Sequence, residues 1–254
     1  MNTTSLPADS KDFRMVELKA TQWDPYFNWV RNAAKGKSFV DVGGLWGVKG
    51  ELVTTAAKGG ASSCTMVDYM PAHHQLWKAF DDRCAEFGVA GVTKIVADLD
   101  APDFVAKVGQ RDVVACGGIL YHCPNPVHTL THLASIARDT LIVRSARFPD
   151  VISNEKGEIV LHQGSALFLP GLKGQDREIV REYYRLRGDT PEMIPVILND
   201  DRRDPWWRDG TYTYGPWWWG FTTSFLVNLF DVLPFKVTEV LVWPYTVGIR
   251  AKRI

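Results

Sequence analysis

From Phe39 to Arg144 the sequence alternates short apolar runs with longer amphipathic ones, and this alternation limits the fold more than any other feature. Phe39, Val40 and Val42 make the first apolar run. The pattern then predicts a helix over Val48–Lys58, a strand over Cys64–Asp68, a helix over Ala72–Phe87 stopped by Gly88, and a strand over Thr93–Ala97. A short helix near Asp103–Val108, a strand over Asp112–Cys116, a helix over Pro126–Arg138 and a strand over Thr140–Arg144 continue it. The expected class is therefore α/β, a mostly parallel, doubly wound sheet with helices on both faces. Ligands of such sheets bind beyond the carboxyl ends of the strands, where the strand order reverses.

Ahead of this block, Met1 to Asp12 is polar and has neither the basic start nor the apolar stretch of a signal peptide. Asp24–Pro25 reads as a helix start, with Asp as the cap and Pro in the first position, and Gly36 closes that helix. Between Ala146 and Pro216 the alternation breaks, leaving one expected helix at Asp176–Leu186. Long loops in compact domains are usually functional, and Gly164, Pro170, Gly171 and Gly174 mark this one as a lid that orders on substrate binding. Regularity returns with an amphipathic helix from Thr222 to Val232, then two strands, Lys236–Trp243 and Thr246–Lys252, around a tight turn at Pro244–Tyr245. A chain of 254 residues, 46% of them hydrophobic, buries a full core, so one domain with an insertion is expected. Its parts are 1–36 (tail and helix), 37–146 (ligand-binding core), 147–216 (lid) and 217–254 (helix and antiparallel hairpin), with seven strands in the sheet.

Lys and Arg together number 29, as do Asp and Glu, so no overall field draws the chain to nucleic acid or an acidic membrane. No apolar run reaches the length of a membrane span, and a cytoplasmic location is the default expectation. Cys64, Cys84, Cys116 and Cys123 lack the close pairing of a disulfide scaffold and read as reduced thiols.

The chemistry starts at Ser38–Phe39–Val40–Asp41–Val42–Gly43–Gly44–Leu45–Trp46–Gly47, an apolar strand running into a glycine turn. The three-glycine spacing that a nicotinamide dinucleotide requires is absent. Gly43 and Gly47, with Asp41 just ahead, resemble motif I of the class I S-adenosylmethionine-dependent methyltransferases, although Leu45 replaces the middle glycine. Asp68–Tyr69 matches the family's motif II, whose carboxylate accepts both ribose hydroxyls, and Asp98–Leu99 matches the position that contacts adenine. Each aspartate alone also reads as a strand-end cap. Three at successive strand ends do not. Arg111 to Pro126, containing Cys116–Gly117–Gly118–Ile119–Leu120–Tyr121–His122, is similar to motif IV of the small-molecule and tRNA-modifying branches. The resemblance implies S-adenosylmethionine as cofactor, held by Asp41, Gly43, Gly44, Gly47, Asp68, Tyr69, Asp98, Leu99 and Gly117. It places Tyr121 and His122 beside the transferred methyl.

His122 there serves as a general base or orients the acceptor, or else only shapes the loop. Arg144 and Arg147, after the fifth expected strand, suit an anionic group on the substrate, with surface salt-bridging as the duller alternative. The insertion adds Tyr183, Tyr184, Arg185, Trp206, Trp207, Arg208, Tyr212, Tyr214 and the run Trp217–Trp218–Trp219. These read as an acceptor cage, with Trp217 as a substrate contact, or as the core of a small lid. His128 and His132 are spaced i, i+4, but Thr129 stands where a zincin motif has Glu, so no metal site is expected. The expectation is methyl transfer to a small molecule. A tRNA-modifying methyl- or carboxymethyltransferase is the alternative, and a nonenzymatic binding module comes third. Oligomeric state is left open.

Overall fold

The computed structural model describes residues 13–200 and 217–254, together with the backbone of two short strands, Trp207–Arg208 and Thr211–Tyr212. The described chain forms two compact units. One comprises residues 13–118, 127–145 and 229–254, the other 119–126 and the described parts of 146–228.

The first unit carries strands β1 (Arg14–Glu17), β2 (Ser38–Val42), β3 (Ser63–Asp68), β4 (Thr93–Val96), β5 (Arg111–Gly117) and β6 (Ala137–Ala146). Near the C-terminus β13 (Phe235–Val242) and β14 (Thr246–Arg253) complete its sheet, in the order β1-β13-β14-β6-β5-β2-β3-β4. Strand β2 pairs in parallel with both β3 and β5, so the chain leaves β2 in one direction through β3 and β4 and returns on its other side at β5. This reversal creates a crevice at the carboxyl end of β2. Phe39, Val40, Asp41 and Val42 are all buried, as a central parallel strand covered on both faces requires. Ser38 fixes where the strands begin: its N–H and hydroxyl donate to Asp112 Oδ2 at 2.9 and 2.7 Å, and Asp112 N–H donates back to Ser38 Oγ at 2.9 Å. The C-terminal strands form the expected antiparallel pair.

The sheet has eight strands rather than seven. The eighth, β1, pairs in parallel with β13 from Arg14↔Glu239 to Glu17↔Val242. Its four residues, two of them charged, carry too little alternation to be read as a strand. Helix α1 (Asp24–Ala34) has Trp23 at its N-cap, so Asp24 already lies in the first turn. Helix α2 (Glu51–Lys58) starts three residues later than expected, because Gly47 and Gly50 take φ of +64° and +66° and keep the backbone out of the helical region. Helix α3 (Gln75–Glu86) is also shorter at its start, where the His74 ring accepts a bond from Leu76 N–H at 3.3 Å. Helices α4 (Phe104–Val108) and α5 (Pro126–Ile136) follow, and Ala137 and Arg138 belong to β6 rather than to α5. The aromatic load of α1 packs with Phe39, Val53, Met66, Trp77, Phe80 and Trp243 into one apolar cluster. All four cysteines are free and buried.

The second unit is more regular than a loop with one helix. It contains strands β7 (Val151–Asn154), β8 (Gly157–Val160) and β9 (Ala166–Phe168), helices α6 (Gly174–Arg187) and α7 (Met193–Leu198), short strands β10 (Trp207–Arg208) and β11 (Thr211–Tyr212), strand β12 (Trp219–Phe221) and helix α8 (Thr223–Asn228). Strands β7 and β8 form a hairpin closed by Glu155–Lys156, in which Lys156 N–H donates to Asn154 Oδ1 at 3.0 Å. Phe148, Ile152, Leu169, Ile179, Tyr184 and Ile197 are among the residues of a separate apolar core. Gly220 lets β12 pass Phe148, whose ring lies 1.7 Å from where a Cβ would stand.

Candidate functional site

The glycine turn after β2 is built by three departures from ordinary backbone. Gly43 has φ of +80° and its N–H donates to Val67 O at 2.7 Å, which ties the turn to β3. A Cβ on Gly44 would stand 2.1 Å from Asp41 Oδ2, so only glycine lets the chain fold over that carboxylate. Gly50 N–H then closes the loop on Gly44 O at 2.8 Å. Leu45, the residue that breaks the motif, is fully buried in the apolar core. The substitution therefore adds core and leaves the turn open to a ligand.

A cavity of about 370 Å³ lies against this turn, lined by Trp23, Phe27, Asp41, Gly43, Gly44, Trp46, Gly47, Val48, Glu51, Leu52, Gly117 and Arg144. Burial pushes the Asp41 carboxyl up to about 7, against the opposing pull of Arg144 and with the nearby charges of Asp68 and Glu51 adding to the rise. Arg144 shares this cavity with the residues of the glycine turn. Arg147 does not, since it falls in the other unit, where Tyr183 donates its hydroxyl to Arg147 O at 3.4 Å.

Asp68 ends β3 and is buried. Its Oδ1 accepts from Met70 N–H at 3.0 Å, while Oδ2 is buried and has no hydrogen-bond partner among the described residues. Burial raises the carboxyl, and backbone N–H groups of Met70, Leu45 and Tyr69 oppose the rise. An acceptor oxygen placed this way fits a hydroxyl-bearing ligand, because an unsatisfied buried acceptor costs about 1–3 kcal/mol until something donates to it. The adjacent Tyr69 hydroxyl is held up at about 12 by burial, with Asp68 and Asp98 contributing.

Asp98 follows β4, and its Oδ1 accepts from Asp100 N–H at 3.0 Å. Leu99 is buried. The helical histidines hold this segment: His132 Nδ1 lies 2.7 Å from Leu99 O, His128 Nε2 lies 3.4 Å from Asp100 O, and Thr129 between them donates to Asp100 Oδ1 at 2.7 Å. The i, i+4 spacing thus serves a latch between α5 and the loop after β4. Sequence reading missed that role, since its only local signal is that Thr129 faces the same way as both histidines.

In the second unit Tyr121 and His122 occupy the 3-10 turn Leu120–His122. Their rings are 4.4 Å apart, and Trp217 joins them with centroids 4.0 Å from Tyr121 and 5.8 Å from His122. Trp218 N–H donates to Tyr121 O at 2.8 Å and Trp219 Nε1 to Pro124 O at 3.2 Å, so backbone and side-chain bonds from the Trp run bind it to the turn. Arg187 lies over both Trp217 and Tyr184, at 5.2 and 4.7 Å, while bonding Asp189 through two nitrogens at 2.6 and 2.7 Å. Arg185 instead pairs with Glu182. Trp206 and Tyr214 lie outside the described residues, as do the side chains of Trp207, Arg208 and Tyr212. Among the described residues no helix is long and apolar enough to cross a membrane.

No family model matches the chain, and no curated protein matches it in sequence. Solved structures match its fold. The magnesium protoporphyrin IX methyltransferase of Synechocystis PCC 6803, with bound SAH, is similar with a TM-score of 0.53 and 16% identity, covering 91% of this chain and 81% of that one. The trans-methyltransferase CalH, in complex with SAH, gives a TM-score of 0.52 and 16% identity over 91% of this chain and 55% of its own. The chain has the class I methyltransferase fold.

Proposed function

We propose that the protein is an S-adenosylmethionine-dependent methyltransferase acting on a small-molecule acceptor. The observation that carries the proposal is the Oδ2 of Asp68, a buried carboxylate oxygen at the end of β3 that has no hydrogen-bond partner among the described residues. Asp68 accepts the ribose hydroxyls, the Asp98–Leu99 segment with Tyr69 frames the adenine, and Asp41, Gly43, Gly44, Gly47 and Gly117 take the amino-acid end. When bound, the donor supplies a methyl already activated on a sulfonium. The chain's own tasks are then to align the acceptor, exclude water and, for a protonated acceptor, remove a proton. We assign the acceptor to the cluster of Tyr121, His122 and Trp217, with His122 as base or orienting group and Arg147 as an anion contact. The magnesium protoporphyrin IX enzyme, which by its name methylates a small molecule, supports that choice of acceptor class.

Calorimetry with S-adenosylhomocysteine (SAH) tests the donor assignment. Asp68→Ala removes an acceptor of charge-assisted hydrogen bonds and is expected to weaken binding about ten- to a hundredfold. Unchanged affinity would refute the ribose role, and binding of a nicotinamide dinucleotide in its place would refute the donor. Labelled methyl transfer to a metabolite pool and to bulk tRNA then tests the acceptor: label in tRNA would overturn the small-molecule reading.

A further inference from the structure

Strand β4 lies at the edge of its sheet, where among the described residues only β3 pairs with it. Their ladder runs to Asp68↔Val96, and Ala97 N–H adds one bond to Asp68 O at 3.0 Å. Asp98 and Leu99, the residues assigned to the donor's base, come directly after the ladder ends. Their hold comes from the loop itself and from α5. Asp100 N–H donates to Asp98 Oδ1 at 3.0 Å and Ala101 N–H to Asp98 O at 3.1 Å. The direction of the Asp98 carboxylate therefore depends on where Asp100 stands.

Asp100 is in turn fixed by one face of α5. Thr129 is fully buried and donates its hydroxyl to Asp100 Oδ1 at 2.7 Å. Burial raises the Asp100 carboxyl, and the Thr129 bond is the largest influence opposing that rise. His132 Nδ1 lies 2.7 Å from Leu99 O, and because a carbonyl oxygen only accepts, Nδ1 carries the hydrogen. The His132 ring is itself restrained: it stacks on Phe104, the first residue of α4, with centroids 5.8 Å apart and 8° between the planes, and its centroid lies 4.1 Å from that of His128. His128 Nε2, at 3.4 Å from Asp100 O, adds a longer and more exposed contact. Two consecutive carbonyls and the carboxylate between them are thus tied to a single helix. A loop restrained in this way keeps one conformation before any ligand arrives, which lowers the ordering cost of binding.

Resting on the donor assignment above, we infer that Thr129 and His132 are positioning residues for the donor's base: they hold Asp100, and through it Asp98, where the Asp98 carboxylate accepts from the adenine amino group. Neither side chain touches the donor. Their effect is carried by the Asp100 N–H bond to Asp98.

Calorimetry with two nucleosides separates positioning from mere stability: SAH and S-inosylhomocysteine, in which a carbonyl acceptor replaces the amino donor of the base. The wild-type protein is expected to bind SAH about ten- to a hundredfold more tightly, because a carboxylate cannot bond to that carbonyl. Thr129→Val keeps the side chain's shape without the hydroxyl. It should weaken SAH about five- to tenfold and S-inosylhomocysteine by less than about twofold, so that discrimination shrinks. Thr129→Ser, which retains the hydroxyl, should keep the wild-type ratio. His132→Phe should also lose discrimination, and His132→Asn, whose amide offers an N–H near the place of Nδ1, should recover part of it. Equal weakening of both nucleosides in Thr129→Val, or an unchanged ratio, overturns the inference, as does equal wild-type affinity for the two; each of these results leaves the donor assignment standing. Wild-type protein that binds neither nucleoside overturns the donor assignment and this inference with it. If circular dichroism shows Thr129→Val unfolded, the ratio measured in His132→Phe against His132→Asn decides, and a wild-type ratio in both refutes the positioning role.

Discussion

Asp41 makes the stability of this protein depend on pH in a direction opposite to that of most carboxylates. Its carboxyl is raised from 3.8 to about 7, chiefly by burial. Between those values the folded protein keeps a proton that the unfolded chain has released, so the stabilising share is fully present below about pH 4 and is lost as the pH rises towards 7. At about 1.4 kcal/mol per pH unit, the whole window amounts to about 4 kcal/mol, a large part of a typical domain's stability. Tyr26 and Cys116, whose groups sense the same charge, are both pushed upward by burial and stay neutral throughout the window. Other carboxylates run the other way: Asp112, bonded by Ser38, and Asp139, bonded by Lys37 and Lys252, are held low. Raw acid denaturation therefore mixes the signs, and the measurement must be a difference. Asp41→Asn keeps the shape and removes the titration. Urea unfolding of both proteins from pH 4 to pH 8 should show wild type losing about 4 kcal/mol relative to the variant as the pH rises to 7. Parallel curves would refute the argument that burial dominates at this site. Binding of a cationic ligand end should in turn ionise Asp41, seen as proton release in calorimetry near neutral pH.

Two further outcomes test the second unit. His122→Ala is expected to leave SAH affinity within about threefold and to lower turnover about a hundredfold, with loss of the acid limb of the pH–rate profile, if the ring accepts a proton; a retained limb with a raised acceptor KM assigns positioning instead, and wild-type kinetics would remove His122 from the site. Tyr184→Phe should stabilise the protein by about 1 kcal/mol or more in urea unfolding, because the buried Tyr184 hydroxyl has no hydrogen-bond partner among the described residues, and a loss of stability would show that the hydroxyl is satisfied.

The parallel core was readable because β2, β3 and β5 are apolar runs, β3 and β5 end in Asp68 and Gly117 and Gly43 follows β2, so periodicity and punctuation agree. Helix starts were misplaced where glycines held positive φ: Val48 looks helical, but Gly50 delays the first turn to Glu51. The strand β1 was unreadable because its pairing with β13 spans more than 200 residues and leaves no local trace in Arg14–Glu17. The hairpin β7–β8 had a signal, Asn154 and Gly157 flanking two polar residues, which the surrounding polarity obscured. In the candidate site the backbone features of the glycine turn were visible in sequence. The pairing of Arg144 with Trp23 and Tyr26 was not, because it joins residues more than 100 positions apart through ring faces rather than through a motif. The histidines of α5 show the reverse case, a ligand-like spacing whose actual partners are the Leu99 and Asp100 carbonyls.

The added strand β1 changes how this sheet meets other chains. Without it, the eight-residue β13, with Val237, Val240 and Leu241 buried, would offer one whole flank of unpaired backbone groups as a template for a neighbouring molecule. With it, the outermost strand is only four residues long, largely exposed and charged at both ends, and Arg14 leans towards Glu239 at 3.8 Å. A short, charged border is a poor surface for β-sheet growth. Arg14–Glu17 thus acts as a selvedge, guarding this side of the sheet against self-association.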